Sequence, residues 1–165
     1  MKSLPFLICF GLTLAMAAGH AHATSVASRG ETLLVSSGGD MKVQVKIHTH
    51  EKQIGKPSDP VPSVVTSNCT YSKYPCSIVD RIEIIVNGHT LLVPRSAFCD
   101  LADLNTADIS ISNRRSTLRI EGGDGAESFI LKIEFDAEGV KRRTVEGGES
   151  GQISEETNYH LVVFE

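Results

Sequence analysis

The chain predicts an all-β fold, an antiparallel β-sandwich or partly open barrel of about eight or nine short strands, with one short helix near 96–104. Three observations carry this expectation. Apolar and polar residues alternate with a period of two along most of the chain, as on strands with one buried face. Turn-forming residues interrupt the alternation every 8 to 12 residues or so, the spacing of sandwiches and small barrels. No long segment after the N-terminal region shows the 3.6-residue repeat of an amphipathic helix.

The elements follow in order. Thr32 to Val35 is a short apolar run, and Ser36-Ser37-Gly38-Gly39-Asp40 turns it into Met41 to Thr49. There Met41, Val43, Val45 and Ile47 alternate with Lys42, Gln44, Lys46 and His48, giving a half-buried strand and a first hairpin. Gln53 to Ser77 holds four prolines, which lack a ladder donor, so it reads as a loop with a short edge segment at Val64-Val65. Val79 to Val86 and His89 to Arg95 flank Asn87-Gly88, a dipeptide that tolerates the positive φ of a tight hairpin turn. That turn sets Val86 against His89, Ile84 against Leu91 and Ile82 against Val93. Ser96 reads as the N-cap of the helix running to about Leu104, with Phe98 and Leu101 on one side. Ile109 and Ile111, then Leu118 and Ile120, form arms around Asn113-Arg114-Arg115. Phe129, Leu131, Ile133 and Phe135 make the most apolar face in the chain, and Asp136-Ala137-Glu138-Gly139 turns it into Val140 to Val145. Residues 146–156 read as a polar connection, and Tyr159 to Phe164 as the closing strand.

Composition narrows the function classes. With 165 residues, 41% hydrophobic and 22% charged, the chain is ordinary globular protein, which excludes collagen-like and wholly disordered classes. A net charge of -4, from 20 acidic and 16 basic residues, argues against a general nucleic-acid binder. The absence of Trp and an aromatic content of 5% argue against a broad stacking platform for sugars or bases.

The first residues read as an export signal. Lys2 supplies a positive n-region, Leu4 to Ala18 an apolar h-region, and Ala21-His22-Ala23 a cleavage site. Residues 1–23 are therefore expected to be a signal peptide, and 24–165 a single all-β domain that is periplasmic or secreted. Gly19-His20 interrupts the apolar run, and no later stretch has the length of a membrane span.

An oxidising compartment permits a disulfide, and the exported chain carries Cys69, Cys76 and Cys99. Cys69 with Cys76 closes a small loop in the proline-rich stretch. Cys76 with Cys99 would extend the Asn87-Gly88 register outward, but Pro94 and the helix start at Ser96 break that ladder first. The Cys69–Cys76 pairing is therefore preferred, with Cys99 as a buried thiol beside Phe98. A nucleophilic cysteine wants an electropositive setting, whereas Cys99 neighbours Asp100 and Asp103.

Four constellations invite chemistry. His48 and His50 are two apart on a strand and so share its polar face. They are weak candidates for metal ligands, with His89 or His160 as the third. Gly148-Glu149-Ser150-Gly151-Gln152 fails as a nucleophile elbow at Gln152. Gly122-Gly123-Asp124-Gly125 opens no helix and lacks alternating acidic ligands, so it reads as a turn rather than a phosphate or calcium loop. Basic residues gather at Arg114, Arg115 and Arg119 and at Lys141, Arg142 and Arg143. These suit either a charged surface that discourages edge-to-edge aggregation or contact with an anionic partner. The expected function is a non-enzymatic exported binding domain for a protein or envelope ligand, with no cofactor. The alternative is a periplasmic metal-handling protein or small metalloenzyme built on His48 and His50.

Overall fold

A computed structural model describes residues 23–55, 69–70 and 73–160. Within them the alternation resolves into two antiparallel sheets, one of six strands and one of four, stacked as a β-sandwich. The strands are β1 (Thr24–Ser25), β2 (Gly30–Gly38), β3 (Met41–Lys52), β4 (Cys76–Val86), β5 (His89–Thr90), β6 (Leu104–Ser112), β7 (Arg115–Gly122), β8 (Phe129–Phe135), β9 (Val140–Gly147) and β10 (Ile153–Asn158). The larger sheet runs β1-β6-β7-β8-β9-β10 and the smaller β2-β3-β4-β5.

The core is the sum of the two inner faces. Val43, Val45 and Ile47 of β3 and Ile82, Ile84 and Val86 of β4 meet Leu118 and Ile120 of β7 and Leu131, Ile133 and Phe135 of β8. The spacing of β4 needs one irregularity. Val79 and Ile82 are three apart, so both cannot face inward on a regular strand. A bulge solves this: His48 pairs with Arg81 and Thr49 with Val79, leaving Asp80 as the extra residue.

Turn chemistry fixes the hairpins. Asn87 (φ 51°) and Gly88 (φ 84°) both take positive φ, and Val86 pairs with His89 as the dipeptide predicts. Asn87 also exchanges bonds with β3: its N–H donates to the Lys42 carbonyl at 2.8 Å, and its Oδ1 accepts from the Lys42 N–H at 2.8 Å. Asn113 (φ 49°) and Arg114 (φ 64°) make the matching turn between β6 and β7.

Several expectations change. The strand after Gly88 is only His89–Thr90, although Leu91 still donates to the Ile84 carbonyl at 2.8 Å before the chain turns toward Pro94. The helix expected over 96–104 is a single 3-10 turn, Arg95–Ala97, and Ser96 lies inside it instead of capping it. The reason is competition from β4. The Val79 N–H donates to Leu101 O at 3.1 Å, and the Asp103 N–H donates to Ser77 O at 2.6 Å, so residues 101–103 are drawn out along that strand. Phe98 is buried, but Cys99 points outward and is exposed, contrary to the expected buried thiol. The last strand among the described residues is Ile153–Asn158, which takes in the end of the expected polar connection, and its side chains are mostly exposed. As a sheet edge, β10 needs ladder bonds to β9 and little apolar pattern. The proposed edge segment at Val64-Val65 lies outside the described residues, as do the segment 1–22 and residues 161–164 of the expected closing strand. No helix among the described residues is long and apolar enough to cross a membrane.

Candidate functional site

The six-stranded sheet places the two basic clusters on adjacent hairpins, because β7, β8 and β9 are consecutive neighbours. Strand alternation then separates their roles. Arg115 and Arg119 of β7 and Arg142 of β9 lie on the solvent side, opposite the inward Leu118, Ile120 and Leu131. Arg143 falls one residue further along and turns inside, where it is 1% exposed.

Most of these cations are matched. Arg142 donates to Glu134, directly across the β8–β9 ladder. Lys141 sits 3.0 Å from Glu138 and 3.3 Å from Asp136. The hydrogen bond to Glu138, with Asp136 beside it, raises the Lys141 pKa above its ordinary value. Arg119 lies 2.5 Å from Glu121 and 3.7 Å from Asp108, and its hydrogen bond holds the Glu121 carboxyl below the usual range. Arg143 donates to Asp100 at 2.6 Å and also to Glu155. Arg114 is exposed, 3.8 Å from Asp40. Arg115 is the one of the six without an ion pair among the described residues. It stands at a cleft of about 620 Å³, where Glu134, Lys141 and Arg142 meet Tyr159 and His160. The Tyr159 backbone N–H donates to Lys141 O at 2.9 Å, which fixes the end of β10 beside the cluster. Sequence reasoning did not join Tyr159 and His160 to the arginines, because it assigned them to a strand one segment later.

The histidines occupy the other sheet. His48 and His50 do share the outer face of β3, but they take different partners. The Nε2 of His48 lies 3.4 Å from Glu31 and 3.9 Å from Glu83, with the Arg81 Nη2 at 3.3 Å. The Nδ1 of His50 is 2.7 Å from Asp80, the residue displaced by the β4 bulge. Neither His89, exposed beside the Asn87-Gly88 turn, nor His160 joins them in a three-ligand group among the described residues.

The three-ligand arrangement that is present is Cys69, Cys76 and Asp103. Its sulfurs are bonded to one another, with Cα atoms 5.6 Å apart, so they are not thiolates available to a metal. The preferred cysteine pairing is therefore the one in the structure. Asp103 has a structural task there: its carboxylate accepts from the Thr70 N–H at 2.7 Å and the Ser77 N–H at 2.8 Å, one on each arm of the disulfide loop. In the sequence Asp100 and Asp103 registered only as acidic neighbours of Cys99. Their partners are far along the chain, and no local pattern announces them.

Gly148 to Gln152 forms the β9–β10 turn, closed by the Gly147 N–H donating to Gln152 O at 3.0 Å, and Gly122 to Gly125 leads from β7 into a 3-10 turn before β8. No family model, curated protein or solved structure matches this chain.

Proposed function

We propose that this chain is an exported, non-enzymatic binding domain that meets an acidic protein partner at the Arg115 cleft. One observation carries the reading: an exposed guanidinium with no ion pair among the described residues, Arg115, lines a cleft of about 620 Å³ together with Lys141, Arg142 and an aromatic ring, Tyr159. Arginine offers a planar fork that matches carboxylates bidentately, and Tyr adds rigid area with a polar tip. The neighbouring Lys141 and Arg142 already have carboxylate partners, whereas Arg115 has none among the described residues. Export rests on Lys2, the apolar run to Ala18 and the Ala21-His22-Ala23 site. The Cys69–Cys76 disulfide agrees with an oxidising compartment.

The test places a photo-crosslinking amino acid at position 159 in cells that make the protein, with a second at exposed Leu92 as a control. A discrete protein adduct is expected from position 159 and not from 92, and Arg115→Glu should abolish it. No adduct from 159, or one indifferent to Arg115→Glu, would remove this reading. The intact mass of the adduct-free protein should correspond to a chain beginning at Thr24. Retention of Met1 would remove the export part alone.

A further inference from the structure

The two sheets end in the strands β1 and β10, and β2 and β5, and three of these edges are blunted. Strands β1 and β5 have two residues each. Strand β10 pairs with β9 through a register shift between Ile153 and Glu155 and carries Glu155 and Glu156 in succession. Short strands, bulges and charges are the usual means by which a sheet edge turns away a second chain. Strand β2 has none of them. Its nine residues pair with β3 without a shift, include no proline, and carry one charge, Glu31, near one end.

The direction of the β2 backbone groups follows from its neighbour. Lys42 of β3 gives both its N–H and its carbonyl to Asn87, on the far side from β2. Ser37, which faces Lys42 in the ladder, therefore belongs to a pair without mutual hydrogen bonds. Alternation then sends the N–H and C=O groups of Ser37, Val35, Leu33 and Glu31 away from β3, out along the edge. Among the described residues no other element donates to them or accepts from them. The same residues turn their side chains outward, and Leu33 and Val35 are 50% and 65% exposed.

The geometry points to a second copy of this chain as the occupant: β2 pairs antiparallel with β2 of that copy about a two-fold axis at Leu34. Leu33 then lies opposite Val35 of the second copy, and Val35 opposite its Leu33. Residues directly opposite share a face, so each exposed apolar side chain gains an apolar partner. Moving the axis by one residue loses this, because Leu33 would face Ser37 or Val35 would face Glu31. Charge agrees with the same register. Arg29 and Lys42 are exposed and have no ion pair among the described residues. Glu31 falls opposite Ser37 of the copy, whose neighbour on β3 is Lys42, and Arg29 falls opposite its Gly39, next to Asp40. Each copy has one such edge strand, so the pairing closes at two. The edge belongs to the four-stranded sheet, and the Arg115 cleft to the other, so the two readings stand or fall separately.

Analytical ultracentrifugation of the purified protein tests this. From about 5 µM to about 1 mM it should pass from monomer to dimer, with a Kd of about 10–100 µM for so small an interface. Val35→Glu and Leu33→Lys, each at an exposed position, should each weaken the dimer by about tenfold or more. An equal mixture of the two should recover it to within about threefold of the parent, because the introduced lysine and glutamate then face each other across the axis. Leu92→Asp, exposed and outside β2, should change nothing. In the parent, the outward amides of Leu33 and Val35 should exchange with solvent about fivefold more slowly at the highest concentration, and those of Leu34 and Ser36 at an unchanged rate. A parent that stays monomeric at about 1 mM, growth beyond the dimer, or exchange that ignores concentration would overturn the proposal. So would a dimer indifferent to Val35→Glu, no recovery on mixing, or a dimer lost with Leu92→Asp.

Discussion

Asp103 and Arg143 are nearly sealed from solvent, at 3% and 1% exposure, yet the groups that hold them differ in kind. Asp103 is gripped by backbone: the Thr70 and Ser77 N–H groups donate to its carboxylate, while its own N–H donates to Ser77 O and its own carbonyl accepts from Gly123. Arg143 is held by side chains, the carboxylates of Asp100 and Glu155, which remain 37% and 50% exposed. Backbone donors cannot withdraw to water without unfolding, whereas half-exposed carboxylates can. A charge held by the main chain is therefore a fixed part of the architecture. One held by half-exposed side chains can exchange partners.

That difference sets the sizes of the expected effects. Asp103→Ala leaves two buried N–H groups without an acceptor. At roughly 1–3 kcal/mol each, the loss should be about 4 kcal/mol by urea unfolding. A loss below about 1 kcal/mol would mean that water reaches Thr70 and Ser77, and the contrast with Arg143 would collapse.

Leu131→Ala gives the apolar reference. Leu131 has no exposed surface and sits between Ile120 and Val145 in the larger sheet, so about 3 kcal/mol is expected. If that loss exceeds the one from Asp103→Ala, side-chain packing outweighs the carboxylate clasp in holding the two sheets together.

Arg143→Met should cost much less, about 1 kcal/mol. The methionine fills the space of the stem, and Asp100 and Glu155 regain water on their exposed sides. A loss above about 3 kcal/mol in the same unfolding assay would place Arg143 with Asp103 as a structural charge.

The contrast also marks where the sequence is readable. Period two exposed β3, β7 and β8, because each has a wet face and a dry one. Asn87-Gly88 announced its turn because both positions need positive φ. The Cys69–Cys76 pairing was within reach because Pro94 breaks the competing ladder. The 96–104 segment was misread because its helix signals lost to hydrogen bonds from β4, a partner about 25 residues away in the chain. β10 carries no pattern to read. Arg143 is the sharpest case: alternation along β9 puts it inside with Val145, but a run of Lys141-Arg142-Arg143 looks like one surface patch until register with β8 is known.

Asp136 offers the smallest and finest version of the comparison, since it repeats the Asp103 motif in water. Its Oδ1 accepts from the Glu138 N–H at 2.8 Å and the Gly139 N–H at 3.2 Å, and Lys141 lies 3.3 Å from its other oxygen. Partial burial pushes its pKa up, but the two N–H groups and the ammonium outweigh this and leave it below the ordinary 3.8. A folded-state pKa depressed in this way contributes stability above the unfolded value and loses it as pH falls through the folded one. Asp136→Asn keeps the acceptor oxygen and removes only the charge, so it should cost about 0.5 kcal/mol or less near pH 7. The difference between the parent and Asp136→Asn should hold steady from pH 7 to about pH 5, and shrink below about pH 4. Urea unfolding of both proteins across that range measures it. A difference that instead grows on acidification would mean that burial governs Asp136, and that two backbone N–H groups do not suffice to hold a carboxylate charged.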